Sequence, residues 1–235
     1  MSTSQNSFRS PPKKFQPRGL TILHEDNDIL VVDKINGLLT VATEAIRERT
    51  AYFLLNEYVR KGNPKSRNRV FIVHRLDKDT SGILVFAKNE HAKRYLQDQW
   101  QDFKKTYYAV VHGTLSRKED VITSYLAESS AHKMYSVADP KKGKLARTGY
   151  RVLREAKNYS LLEIHLHTGR KNQIRVHFAE KGVPVVGDRK YGIKVRGSKR
   201  LALHAASLTI VHPGTKETMT FETKIPADFL SLMKG

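Results

Sequence analysis

The chain has 235 residues, 39% of them hydrophobic, enough to bury a sizeable core as one large domain or two small ones. It carries 42 Lys and Arg against 23 Asp and Glu, and the formal charge of +19 exceeds what solubility requires and points to a polyanionic partner. It has no Cys, which excludes disulfides, thiolate nucleophiles and cysteine-based zinc sites.

Residues 1–18, with Ser, Pro, Gln, four basic residues and no acid, have too little apolar surface to offset ordering and are expected to form a disordered basic arm. TILHE and DILVVDK read as short strands around the turn Asp26-Asn27. IRERTAYFLLNEYVRKGNP suits a helix that stops at Gly62 and Pro64. In NEHAKRYLQDQWQDF, Asn89 caps a second helix whose residues Ala92, Tyr95, Leu96, Trp100 and Phe103 face the core. KTYYAVVHG, DVITSYLA, ARTGYRVLREA and YSLLEIHLH read as strands; in the last, Leu162, Ile164 and Leu166 alternate with Glu163, His165 and His167. KNQIRVHFAEKG reads as a helix ended by Gly182. LALHAASLTIVHP and ETMTFETKI follow as strands, and PADFLSLMK as a closing helix with Pro226 in its first turn. The strands cluster instead of alternating with helices, so the expected fold is α+β, with a mixed, largely antiparallel central sheet flanked by helices.

The excess charge is local. Residues 141–200 hold 17 Lys and Arg against four acids, and residues 1–18 add four more cations, so these segments supply 17 of the 19 excess charges. Glycines interleave with the cations, as suits loops that follow a phosphate backbone. No leucine zipper, zinc finger or stacked-aromatic RNP pattern is present, so structured RNA is the better match. The longest apolar runs, ILVV at 29–32 and ILVF at 83–86, fall far below the roughly 20 residues of a spanning helix. No membrane partner is expected, and without a secretory signal the chain reads as cytoplasmic.

Several stretches invite a chemical reading. VHRLDKDTSGILVFAK, residues 73–88, sets an Arg-Leu-Asp on the rim of an apolar strand. On a continuous strand Asp77 and Asp79 would share a face about 7 Å apart. DTSG departs from the D-T-G of aspartic proteases by an inserted Ser, and HRLD from the kinase H-R-D by Leu76, with no glycine-rich loop or D-F-G nearby. His165, His167 and His177 lack the spacing and carboxylate of a metal site, so no metal is expected. In HTGRKNQIRVH, Gly169 and Arg170 suit a strand-to-helix turn that holds an anion. Arg175 lies between apolar Ile174 and Val176, which predicts a partly buried guanidinium that requires a carboxylate partner.

Taken in order, these segments are similar to RluA-type RNA pseudouridine synthases. HRLDKDTSGILVFAK resembles H-R-L-D-x-x-T-S-G-(apolar)₃-x-A-K, and KTYYAVVHG resembles K-x-Y-x-A-x-V-x-G. TGRKNQIRVHFAEKGVPVVGDRKYG resembles T-G-R-x-H-Q-(I/L)-R-x-H…G-x-P-(apolar)-x-G-D-x-x-Y-G, and DNDILVVDKINGLLT and LALHAASLTIVHP resemble the family's opening and ending. The resemblance spans about residues 20–225. Two positions depart from it: Ile35 replaces the usual Pro, a change confined to a loop, and Asn172 stands where His is common.

The resemblance implies a pseudouridine synthase catalytic domain over 19–235 that isomerises uridine in ribosomal or transfer RNA without a cofactor, as a monomer. The small N-terminal RNA-binding module that the family often carries is not expected before Leu20, where the basic arm would replace part of it. By similarity Asp77 is the nucleophile, an Asp that is ionised at neutral pH. Arg175 matches the arginine that pairs with that carboxylate. Tyr107 matches the tyrosine that stacks on the target base and takes the carbon-5 proton. Arg75 matches an arginine beside the flipped-out nucleotide, and Ile174 would line the base pocket. A non-catalytic RNA-binding or ribosome-assembly protein on the same fold is the alternative reading.

Overall fold

The computed structural model describes residues 8–193 and 200–234. Residues 1–7 of the expected arm and 194–199 of the basic segment lie outside the described residues. The chain divides into two compact units, Met1–Trp100 with Val211–Phe221, and Gln101–Ile210 with Glu222–Gly235.

In the first unit β1 (Leu20–Glu25), β2 (Ile29–Lys34) and β4 (Ser81–Ala87) pair antiparallel in that order, and the two-residue β3 (Phe71–Ile72) adds to β4. Strands β2 and β4 read as unbroken apolar runs because both of their faces are covered; Ile29 through Val32 and Ile83 through Ala87 are all buried. Helix α1 (Ala51–Arg60) starts where extended Thr50 accepts the Phe53 N–H (3.1 Å), and it ends at left-handed Lys61. Helix α2 (Glu90–Asp98) is capped by Asn89, whose Oδ1 accepts the Ala92 N–H (2.8 Å). It stops short of the expected Phe103. The polar run Gln97, Asp98, Gln99 gives it nothing to bury, and Trp100 stacks instead on the His74 ring at 4.1 Å.

The stretch expected to be a disordered arm differs from that expectation over residues 8–18. Gln16 Oε1 accepts the Ile22 N–H (3.0 Å), Ser10 Oγ donates to the Ile22 carbonyl (2.5 Å), and Lys13–Phe15 form a 3₁₀ turn. The segment thereby satisfies backbone groups of β1, whose strand partner in this unit is β2 alone. Composition conceals this, since polar side chains and not apolar area hold the segment in place.

Residues 211–221 join this unit through the Asp26 carboxylate. Its Oδ1 accepts the Asp28 and Ile29 N–H groups (2.7 and 2.8 Å), and its Oδ2 meets His24 Nε2 (2.7 Å) and His212 Nε2 (3.1 Å). These bonds hold the Asp26 pKa well below the usual range, although burial opposes the charge.

In the second unit β5 (Lys104–His112), β6 (Glu119–Glu128), β7 (Met134–Val137), β8 (Lys144–Ala156), β9 (Tyr159–Leu166) and β10 (Leu203–Val211) form an antiparallel sheet in the order β10-β5-β9-β8-β6-β7. Its core joins Ala109, Tyr150, Leu162 and Ile164 of the strands to Ile174 and Phe178 of α3 (Gln173–Glu180) and Phe229 of α4 (Ala227–Leu232). Pro226 is the residue before α4, not within its first turn. Strand β11 (Thr218–Glu222) lies in the first unit up to Phe221. The fold is α+β, as the clustering of strands implied, and among the described residues no helix is long and apolar enough to cross a membrane.

Two buried histidines belong to the second unit. His177 lies between Thr148 Oγ1 (2.9 Å) and Ser124 Oγ (3.0 Å), and His204 meets Thr223 Oγ1 (2.8 Å). Burial lowers both pKa values from 6.5 to about 4. The unfolded chain therefore binds more protons between those limits, and stability present above pH 6.5 is lost as pH falls toward 4. Thermal unfolding followed from pH 7 to pH 4 is expected to show a falling midpoint, with a shallower fall in His177→Gln; equal slopes would refute the assignment.

Candidate active site

Asp77 is half-buried on the loop 73–80 that leads into β4. The backbone on each side of it is fixed. Before it, Thr40 Oγ1 donates to the Leu76 carbonyl (2.8 Å) and accepts the Leu76 N–H (3.2 Å). After it, the Lys78 carbonyl accepts the Gly37 N–H (2.8 Å) and Lys34 Nζ (3.3 Å), while the Thr80 N–H donates to the Asp77 carbonyl (3.1 Å). The fully buried Lys34 ammonium also donates to the carbonyls of Ile35 (3.0 Å) and Leu38 (2.8 Å), so its three protons are spent on backbone. Burial lowers its pKa from 10.5 to about 8, against the opposing pull of Asp79, Asp77 and Asp33. Arg75 shares this loop and is exposed. His74 holds the loop's start, its Nε2 accepting the Val85 N–H (3.1 Å).

The other expected residues lie in the second unit. Tyr107 sits on β5 opposite Ile164 and Ala205, and packs on the core that contains buried Ile174. Arg175 is buried, as its apolar flanks predict, and within this unit its carboxylate partner is Asp188. Nε donates to Oδ2 (2.7 Å) and Nη2 to Oδ1 (2.8 Å), a bidentate pair. Burial alone would raise the Asp188 pKa. Arg175 and the N–H groups of Tyr191 and Lys190 outweigh it and hold the carboxyl below its ordinary value. The Tyr191 ring lies 5.3 Å from the Arg175 guanidinium carbon, and its hydroxyl donates to Asn172 Oδ1 (3.2 Å).

Asn172 is left-handed (φ 52°) at the start of α3, a conformation Asn tolerates well. Its side chain holds Tyr191 instead of capping the helix. Gln173 uses both ends of its amide, accepting from Thr168 Oγ1 and the Arg170 N–H while donating to Arg147 O and Thr148 Oγ1. Arg170 diverges from Arg175, its Nε donating to the Leu145 carbonyl (3.0 Å).

The histidines singled out by sequence do not converge. His165 is exposed beside Thr106 and Glu163, whereas His177 is buried on Thr148 and Ser124. Asp26, Asp28 and His212 do group their ligand atoms within 4.8 Å. His212 Nδ1, however, accepts the Gly214 and Thr215 N–H groups, which places the proton on Nε2 facing Asp26. The imidazole is thus committed to hydrogen bonds, and the group acts as a lock between two chain segments.

The RNA pseudouridylate synthase family profile matches residues 28–180, about two-thirds of the chain. The chain belongs to this family. Curated relatives agree. It is 35% identical to the uncharacterized RNA pseudouridine synthase YlyB of Bacillus subtilis, over 94% of this chain and 74% of that one. It is 34% identical to ribosomal large subunit pseudouridine synthase D of Pasteurella multocida, over 94% and 73%. The fold is also that of human RNA pseudouridylate synthase domain containing 4, with a TM-score of 0.74 at 23% identity over 89% of this chain and 90% of that one. As a member of the RluA-type branch, the chain is an isomerase whose substrate is RNA.

Sequence reasoning on this pseudouridine synthase missed Thr40, Lys34 and Asp188 as supporting residues. Asp188 and Tyr191 were within the matched stretch GDRKYG, so the signal for them was available; that for Thr40 was not, because its contact spans 36 residues.

Removing one partner of the buried pair takes two charge-assisted hydrogen bonds from the Arg175 guanidinium. Asp188→Asn is expected to cost about 3–5 kcal/mol in denaturant unfolding, and a loss below about 1 kcal/mol would contradict the pairing. Lys34 supplies a second test. Its native pKa lies below its unfolded one, so the unfolded state binds more protons between about pH 8 and 10.5, and the cost of burying the charge lessens as pH rises through that window. The unfolding midpoint of the wild type relative to Lys34→Met is expected to increase from pH 8 to 10.5; a constant difference would refute it.

Proposed function

We propose that the chain isomerises specific uridines of ribosomal or transfer RNA to pseudouridine, with Asp77 as the nucleophile. The observation that carries this reading is the loop of Asp77, where a half-buried Asp stands between two backbone positions fixed by Thr40 and Lys34, in the family's H-R-L-D stretch. The reaction breaks the bond from uracil N1 to ribose C1′, turns the base, and forms the bond from C5 to C1′. The C5 proton leaves and N1 gains one, so no atom or electron is imported.

An ionised Asp serves such a step, because it remains a nucleophile at neutral pH. Through their matched motifs, Tyr107 stacks on the base and takes the C5 proton, and Arg175 supplies the counter-charge of the carboxylate. Arg75, exposed on the Asp77 loop, fills the space left by the everted nucleotide. Ile174 lines the base pocket, and Arg170 contacts a phosphate. The relative named for the ribosomal large subunit supports ribosomal RNA as the first substrate to test. The charge of +19 supports binding in a cytoplasm rich in RNA, where the protein works as a monomer.

Tritium release from RNA labelled at uridine carbon 5 tests the assignment. Wild-type protein is expected to release tritium and Asp77→Asn to release none above background, while the two bind RNA within a few-fold of each other. Release by Asp77→Asn at the wild-type rate would remove Asp77 from the chemistry.

A further inference from the structure

The first unit contains a cavity of about 980 Å³ that none of the residues assigned above explains. Its size is at the upper end of the range for small-ligand sites. We infer that this cavity receives an unpaired nucleotide of the RNA adjacent to the uridine under modification, with the base on Ile35 and Ile46 and the phosphate on Arg47, Arg49 and Lys78. The inference rests on the function proposed above and specifies where the RNA strand continues.

The lining has two kinds of surface. Ile35 and Ile46, both lining residues, are among the large apolar side chains that remain exposed, Ile35 at 57%. These two aliphatic side chains give the cavity an apolar floor within a charged rim. Around them stand Arg18, Arg47, Arg49 and Lys78, opposed by two carboxylates, Glu44 and Glu48, so the lining is net positive. An apolar plane inside a cationic rim fits a base joined to its phosphate better than a lipid chain, which has no use for the rim, or a free anion, which has none for the floor.

The cavity is also placed for that occupant. Lys78, which lines the cavity, follows Asp77 directly in the chain, so the cavity wall begins one residue from the proposed nucleophile. The Lys78 carbonyl is tied to the Gly37 N–H and to Lys34, so the cavity wall and the Asp77 loop form one fixed piece. Ile35 is itself held. Gly19 has φ +80°, and a Cβ there would come within 2.9 Å of Ile35 Cδ1, so the glycine lets the isoleucine rest on the backbone beside Arg18. At Gly37 (φ +81°) a Cβ would meet nothing within 4 Å, which leaves that side of the wall open.

The test uses a single-stranded oligouridylate decamer carrying one 4-thiouridine, crosslinked to the full-length protein and mapped by mass spectrometry, with tritium release on labelled RNA in parallel. Crosslinks within residues 35–49 are expected. Ile35→Asp, and Arg49→Glu on the exposed rim, are each expected to raise KM about tenfold or more with kcat within about threefold. Crosslinks confined to other segments, with KM unchanged in both variants, would overturn the cavity proposal and leave the enzyme reading standing. No tritium release by the wild type from any RNA would overturn the enzyme reading, and with it the cavity's place beside the target.

Discussion

A guanidinium stays protonated wherever it is placed, so burying Arg175 obliges the second unit to bury a carboxylate beside it. Asp188 meets that obligation with two parallel hydrogen bonds and accepts the Lys190 and Tyr191 N–H groups besides. The turn after Gly187 is thereby fixed to α3, and Tyr191 is carried onto the guanidinium face and toward Asn172. A residue that is polar, left-handed in backbone and unusual for the family at position 172 thus has a physical task. It holds the tyrosine that covers the arginine.

The first unit solves a similar problem with a different cation. Lys34 is as deeply buried as any side chain among the described residues, but no carboxylate bonds to its ammonium among the contacts described; three backbone carbonyls do. Burial makes that ammonium costly to charge even with its three acceptors, which is why its pKa falls. In return, the loop that bears Asp77 is bonded to the strand-end segment 34–40 at one end and, through Thr40, at the other. The proposed role of Asp77 draws on this, because the backbone that carries it is fixed before substrate arrives.

Much of this was legible in the sequence. Alternation in YSLLEIHLH and the unbroken run in GILVFA each predicted strand and burial, since side-chain period and apolar length are local properties. The buried state of Arg175 followed from its neighbours Ile174 and Val176. What escaped were features made by distant polar contacts. The segment at 8–18 has a composition typical of disorder, yet Ser10 and Gln16 satisfy a strand residue further along. Helix α2 ended early because Trp100 found His74, 26 positions before it. The division into two units, with residues 211–221 returning to the first through His212 and Asp26, depends likewise on bonds that no local pattern encodes.

The family, the fold and the fixed loop of Asp77 lead to one claim, that this chain converts uridine to pseudouridine in cellular RNA. Pseudouridine mapping across total RNA measures it most directly, in cells lacking the gene and in the same cells given back wild type or Asp77→Asn. The account predicts that at least one modified position in ribosomal or transfer RNA disappears with the gene and returns only with the wild type. Identical maps in all of these cells would contradict it.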